Sequence, residues 1–224
     1  GFVGSTVDGH TTTLGRGGSD YSGALVGAGI GADEIQIWTD VDGMLTADPR
    51  VIANPRLVPH LSFAEAAELA YFGAKVLHPS TILPAVAKNI PVRIVNSRQP
   101  DRPGTLITAD PQTSKGQLTA LACKRGVTVI DITSTRMLMA HGFLKRIVEI
   151  FDRYETPVDM LATSEVSVSL TIDNTRALAA IRGEIEEFAD VSVEEDQAIV
   201  SMVGDNIRHT RGVTSCAFAA LKDI

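Results

Sequence analysis

Thr11-Thr12-Thr13-Leu14-Gly15-Arg16-Gly17-Gly18-Ser19-Asp20, continued by YSGALVGAGIGADEIQIWTD over residues 21–40, decides how this chain is read. Three glycines around Arg16 let backbone amides approach a ligand, and the helix start behind them offers orphan N–H groups to an anion. Ser19 to Ile30 reads as a helix and Glu34 to Trp38 as a buried strand ending at Thr39-Asp40. Ligands gather at such strand ends in layered α/β folds. Arg16 suits a carboxylate or phosphate gripped by two hydrogen bonds, whereas Asp20 repels an anion and suits an ammonium or a metal-bound group. Opposite signs four residues apart fit a zwitterionic amino acid. A glycine turn capped by Ser19 accounts for the same residues structurally, and Asp at position 20 departs from the dinucleotide GxGxxG spacing.

Outward from this stretch, residues 1–110 alternate strand-like and helix-like segments, the pattern of an α/β domain with a largely parallel sheet. Ser62-Phe63-Ala64-Glu65 forms a capping box, and Phe63, Ala66, Ala67, Ala70 and Ala74 follow at helical spacing up to a stop near Gly73. A Pro-led helix from Pro79 to Lys88, a strand from Val92 to Val95 and a closing strand from Thr105 to Thr108 complete the expected domain. The acid-rich run Trp38 to Arg50 suits a nucleotide ribose, or phosphates screened by magnesium, with Arg50 on the phosphates. Asp42-Gly43 and Asp48-Pro49 making plain turns explain it equally. Lys75 reads alternatively as a surface charge at a helix end. His78 before Pro79 reads as a hydrogen-bonded structural residue.

Polar residues 109–116 mark the best boundary in the chain. Beyond them Val127 to Ile132, Val158 to Leu161, Val166 to Ile172, Val191 to Val193 and Ala198 to Val203 read as strands. Two helix stripes, Phe143/Ile147/Ile150/Phe151/Tyr154 and Leu178/Ile181/Ile185/Phe188, are interleaved with them. The order βαββαβ is that of a ferredoxin-like unit. An internal repeat at an offset of 70 aligns His141-Gly142-Phe143 with Arg211-Gly212-Val213, so a second unit is expected from about Gln197. The expected domains are therefore 1–110, 111–196 and 197–224, with the chain read as a fragment at both ends. Thr163-Ser164-Glu165, between two strands, and Met137 to Phe143, leading into a helix, suit a small ligand at a helix start or simply polar and apolar connections.

The 224 residues are 44% hydrophobic and 21% charged, which supports a real core and excludes disorder. Basic residues number 8 against 11 acidic over 1–110 and 12 against 16 over the remainder. No basic face for nucleic acid follows from that balance. The apolar stretch Ala24 to Ala32 is cut by three glycines and falls short of the roughly 20 residues of a membrane span. Cys123 and Cys216 lack metal-ligand spacing and read as buried thiols in a reducing cytoplasm.

Together the strings TTTLGRGGSDYSGAL, WTDVDGMLTADPR, SFAEAAELAYFGAKVLHPSTILPAV and PVDMLATSEVSVSL resemble the aspartokinases, most closely the lysine-sensitive single-function class. The resemblance implies the C-terminal part of an amino-acid-kinase α/β/α sandwich followed by ferredoxin-like ACT units. It implies aspartate phosphorylation by MgATP, feedback by an amino acid, lysine above all, and a homodimer through the ACT units. By it, Arg16, Gly17, Gly18, Ser19 and Asp20 bind aspartate, with Asp20 also catalytic, and Thr39, Asp40, Leu45, Arg50, Lys75 and Val76 line the ATP site. Leu45 stands where the class carries Tyr. The effector site falls on Met137, Phe143, Leu144, Val158, Asp159, Thr163, Ser164, Glu165 and Val166, with Ala140 and Pro157 replacing serines. The family's N-terminal Lys-Phe-Gly-Gly segment is not in these residues, so little turnover is expected of the chain alone. A non-catalytic amino-acid sensor, and a superfamily kinase acting on glutamate or a nucleotide, are the competing readings.

Overall fold

A computed structural model describes residues 1–15, 17–73, 76–77, 82–110, 118–134 and 141–222. The chain forms two compact units, residues 1–123 with 200–224 and residues 124–199. The polar stretch 109–116 falls largely outside the described residues. Among the described residues no helix is long and apolar enough to cross a membrane.

In the first unit, a short hairpin of β1 (Val3–Ser5) and β2 (Thr11–Thr13) leads into helix α1 (Gly18–Ile30). A left-handed Gly31 ends that helix, and β3 (Ile35–Thr39) follows after three residues. Gly27 lies so close to Ile35 that a Cβ there would collide with its side chain. Next come β4 (His60–Ser62), α2 (Phe63–Phe72), α3 (Leu83–Lys88), β5 (Val92–Asn96) and β6 (Thr105–Thr108). The sheet order is β3-β5-β6-β4. β3/β5 and β4/β6 are parallel pairs, and the central β5/β6 pair is antiparallel. The sheet is thus mixed, because the turn at 97–104 sends the chain straight back beside β5. Proline sits at the start of α3, where a missing N–H costs nothing. Pro79, the expected leader, lies outside the described residues.

The capping box forms as expected. Ser62 Oγ accepts from Glu65 N at 3.1 Å, and Glu65 Oε2 accepts from Ser62 N at 2.8 Å. Thr119 Oγ1 donates to the other carboxylate oxygen at 2.7 Å, so this buried acid is satisfied on both sides. Leu61, Ala66, Leu69, Ile94 and Ile107 centre the core.

The second unit carries β7 (Ala120–Thr133), α4 (Phe143–Arg153), β8 (Met160–Thr163), β9 (Ser167–Ile172), α5 (Leu178–Glu186) and β10 (Asp190–Val203), the two long strands continuing into the first unit. The order β10-β7-β9-β8 is the ferredoxin-like arrangement. Both helix stripes enter one core, with Ile147, Ile150, Phe151, Ile181 and Ile185 facing Ile130, Ile132, Val168, Leu170 and Ile172. Val191–Val193 and Ala198–Val203, read as separate strands, form one strand that carries Asp196 at φ 57° between them. The repeat is visible in three dimensions. β7 and β10 are each 14 residues long, Gly126 at φ 72° matches Asp196, and Gly142 (φ 83°) and Gly212 (φ 85°) begin α4 and the last helix, α6 (Val213–Leu221). Cys216 on α6 is exposed and Cys123 half-buried, which corrects the expectation of buried thiols. No core residue comes from α6, so its cysteine has nothing to be buried against.

Candidate functional site

The glycine loop is built by backbone geometry. Gly15 and Gly17 adopt φ of 73° and 74°, a region that disfavours side chains, and a Cβ at Gly18 would press on Leu14 at 2.8 Å. Gly17 begins α1 without a side-chain cap, so the first-turn amides have no partner within the helix. Ser19 is exposed, and its hydroxyl donates to Asp20 Oδ1 at 3.4 Å; the reading of Ser19 as helix cap gives way to this contact. Burial pushes the Asp20 carboxyl above its ordinary value, and the Ser19 hydrogen bond partly opposes that. Arg16 lies outside the described residues.

A second group forms at the end of β3. Ser97 donates from both N and Oγ to the Thr39 carbonyl at 2.8 Å, which fixes that carbonyl at the exit of the strand. Thr39 Oγ1 donates to the exposed Asp40 at 3.4 Å. Asp42 accepts from Asn96 Nδ2 at 2.6 Å and pairs with Arg102, so this acid organises the turn. Asn96, Ser97 and Arg102 were not read as site residues from the sequence; the signal for Asn96 and Ser97 was Val-Asn-Ser at the end of a strand parallel to β3. Because the chain reverses between α1 and β3 over a short turn, the glycine loop and Thr39-Asp40 lie toward the same end of the layer. Among the described residues no hydrogen bond joins them.

The loop that follows carries Leu45, half-buried and bridged to Leu57, and Arg50, whose guanidinium grips Asp48 through three bonds of 2.6–3.1 Å. That hydrogen-bonded, charged contact raises the pKa of Arg50. Arg50 is exposed and Asp48 partly buried. Val76 packs against the first core. Lys75 and His78 lie outside the described residues. A cleft of about 530 Å³ occurs elsewhere, between the C-terminal ends of α1 and α3, lined by residues 28–33 and 88–91. Its position at the opposite end of α1 separates it from the strand-end chemistry.

In the second unit, Phe143 stacks edge-on against Phe188 at 5.6 Å, while Leu144 beside it is exposed. Val158 packs on the core and Asp159 precedes β8. Thr163 ends β8, and Ser164, Glu165 and Val166 form the exposed β8–β9 connection, where Ser164 Oγ accepts from Ser167 N at 3.1 Å and meets Ser167 Oγ at 2.6 Å. Met137 and Ala140 lie outside the described residues. Lys124 Nζ bridges Asp159 Oδ2 at 2.7 Å and Asp173 Oδ2 at 3.0 Å. Burial alone would lower the lysine pKa; hydrogen bonds and charge from both aspartates outweigh it and raise the value.

Comparison with known proteins joins these two regions. The amino acid kinase family matches residues 1–96. Lysine-sensitive aspartokinase 3 of Escherichia coli is 42% identical over 99% of this chain and 51% of its own length, and chloroplastic aspartokinase 3 of Arabidopsis thaliana is 46% identical over 94% and 39%. The chain belongs to the aspartokinase family. It spans 51% and 39% of the lengths of these two aspartokinases. Among solved aspartokinases, the Clostridium acetobutylicum enzyme superposes with a TM-score of 0.89 at 35% identity, over all of this chain and 54% of that one. E. coli aspartokinase III in complex with aspartate and ADP superposes with a TM-score of 0.85 at 42% identity, over all of this chain and 52% of that one. Its complex with lysine and aspartate gives 0.77 at 44%, over 91% and 47%.

Proposed function

We propose that the protein carrying this chain is an aspartate kinase. A side-chain carboxylate oxygen of L-aspartate attacks the γ-phosphorus of MgATP, the bond to the β-phosphate oxygen breaks, and 4-phospho-L-aspartate and ADP leave. This is the first step toward lysine, by the diaminopimelate route, and toward threonine and methionine. The observation that carries the reading is the match along the whole chain, glycine loop and β3 end included, to an enzyme crystallised with aspartate and ADP.

On this reading Arg16 grips a substrate carboxylate, Gly17, Gly18 and Ser19 present amides, and Asp20 faces the substrate ammonium. Thr39, Asp40, Leu45, Arg50, Lys75 and Val76 contact the nucleotide, Arg50 leaving Asp48 to reach the phosphates. Magnesium arrives as part of the nucleotide substrate. Positioning and charge screening supply most of the rate. An amino-acid effector, lysine in our reading, binds Met137, Phe143, Leu144, Val158, Asp159, Thr163, Ser164, Glu165 and Val166 at the pairing of two ACT units in a homodimer. Two cysteines outside any disulfide fit a reducing, cytoplasmic setting.

Calorimetric titration of the chain with L-aspartate, lysine, threonine and methionine, beside size-exclusion chromatography, tests this. Saturable lysine binding to a dimer, and aspartate binding lost in Asp20→Asn, are expected. Aspartate binding that survives Asp20→Asn would contradict the assignment of the glycine loop.

A further inference from the structure

The proposed effector set holds two acids that a cationic amino acid would seek, the exposed Glu165 and the nearly buried Asp159. The Asp159 side chain is only 6% exposed, and an ammonium of the protein's own already occupies it, Lys124 Nζ at 2.7 Å. So nearly buried a carboxylate has little room for a second ammonium, and like charges drawn to one oxygen repel. Lys124 has somewhere else to go: Asp173, half exposed, accepts the same ammonium at 3.0 Å. All three side chains stand at one end of the sheet, on β7 and on the segments that precede β8 and follow β9.

We propose that Lys124 is an internal competitor for the effector: the ammonium of a bound cationic amino acid takes Asp159, and Lys124 passes to Asp173. This rests on the reading of Asp159 as an effector residue and adds what sets the affinity there. The free chain holds Asp159 in a closed pair, so the apparent dissociation constant exceeds the intrinsic one by the reciprocal of the fraction of chains in which the pair is open. Asp173 makes the exchange possible without stranding a half-buried ammonium. It is a positioning residue.

The test is calorimetric titration of L-lysine into the wild-type chain and four variants. Lys124→Met removes the competitor and should tighten lysine binding by about tenfold. Asp173→Asn removes the second carboxylate to which Lys124 passes and should weaken binding several-fold. Lys124→Arg keeps the charge but grips both carboxylates with a planar fork, so it too should weaken binding, which a simple change of local charge would not do. Asp159→Asn should abolish binding. Lys124→Arg and Asp173→Asn keep Asp159 paired, so they report even where Lys124→Met fails to fold. Lysine affinity in Lys124→Arg equal to or tighter than wild type overturns the proposal. Absence of lysine binding in the wild type, or undiminished binding in Asp159→Asn, overturns the effector reading on which it stands.

Discussion

Among the described residues, glycines that are both left-handed and crowded occur in the first unit and not in the second. In the first, Gly43, Gly73 and Gly104 combine positive φ with crowding: a Cβ would strike Thr105 Oγ1, the Cys123 carbonyl oxygen and the Ile94 carbonyl oxygen respectively. In the second, Gly126 and Gly142 take φ of 72° and 83° with open space around the missing side chain. Among these glycines crowding is confined to the first unit, which also uses Gly9, Gly15 and Gly31 for conformation alone, as the second unit uses Gly126 and Gly142. Close backbone approach belongs to the unit whose glycine loop and strand ends we assign to substrate and nucleotide. The second unit instead engages its candidate acid by an ion pair.

Substitution can break this contrast directly. Gly104→Ala should cost more than about 3 kcal/mol, since left-handed strain adds to a collision with backbone that cannot step aside. Gly142→Ala should cost only about 1–2 kcal/mol, the conformational cost alone. Urea unfolding of both variants measures the difference; equal losses would refute the distinction.

The second unit was the more legible of the two in the sequence. Its strands alternate and its helix stripes repeat at 3.6, so both core faces could be named residue by residue, and the repeat at 70 returned as paired strands and paired glycine starts. The continuous β10 was harder to see, because Glu194-Glu195-Asp196 looks like a turn and only the matching Gly126 shows that a left-handed residue is accommodated within a strand. In the first unit the antiparallel β5/β6 pair was hidden, since a short turn-rich connection carries no sign of which neighbour the next strand will choose. The Asn96–Asp42 and Ser97–Thr39 bonds were invisible for a related reason: they join residues more than fifty positions apart. The Lys124 bridge is of the same kind, set by register and not by spacing.

Smaller effects sharpen the same comparison. Ser62→Ala removes the capping hydroxyl of α2 and leaves Glu65 one donor short, for an expected loss of about 1–2 kcal/mol seen as a lower urea midpoint. Glu34 and Arg93 tie the β3–β5 pair through bonds of 2.8–3.0 Å, and the Arg93 hydrogen bonds hold the Glu34 carboxyl below its ordinary value. With the folded value depressed, this contribution is present above the unfolded pKa and is lost as pH falls through the folded one. Glu34→Gln should therefore cost at most about 1 kcal/mol at pH 7, after discounting for solvent screening, and nothing once the acid is protonated in both states. A stability gap between wild type and variant that widened on acidification would show the sign to be wrong.

The most direct test of the central claim is a hydroxylamine trap for the acyl phosphate, run on the intact protein that carries this chain with MgATP and either L-aspartate or L-glutamate. The account predicts aspartyl hydroxamate that requires aspartate and falls about a hundredfold or more in Asp20→Asn, the scale seen when a group aimed at the reacting complex is removed. ATP consumption without hydroxamate, or equal product from glutamate, would contradict it.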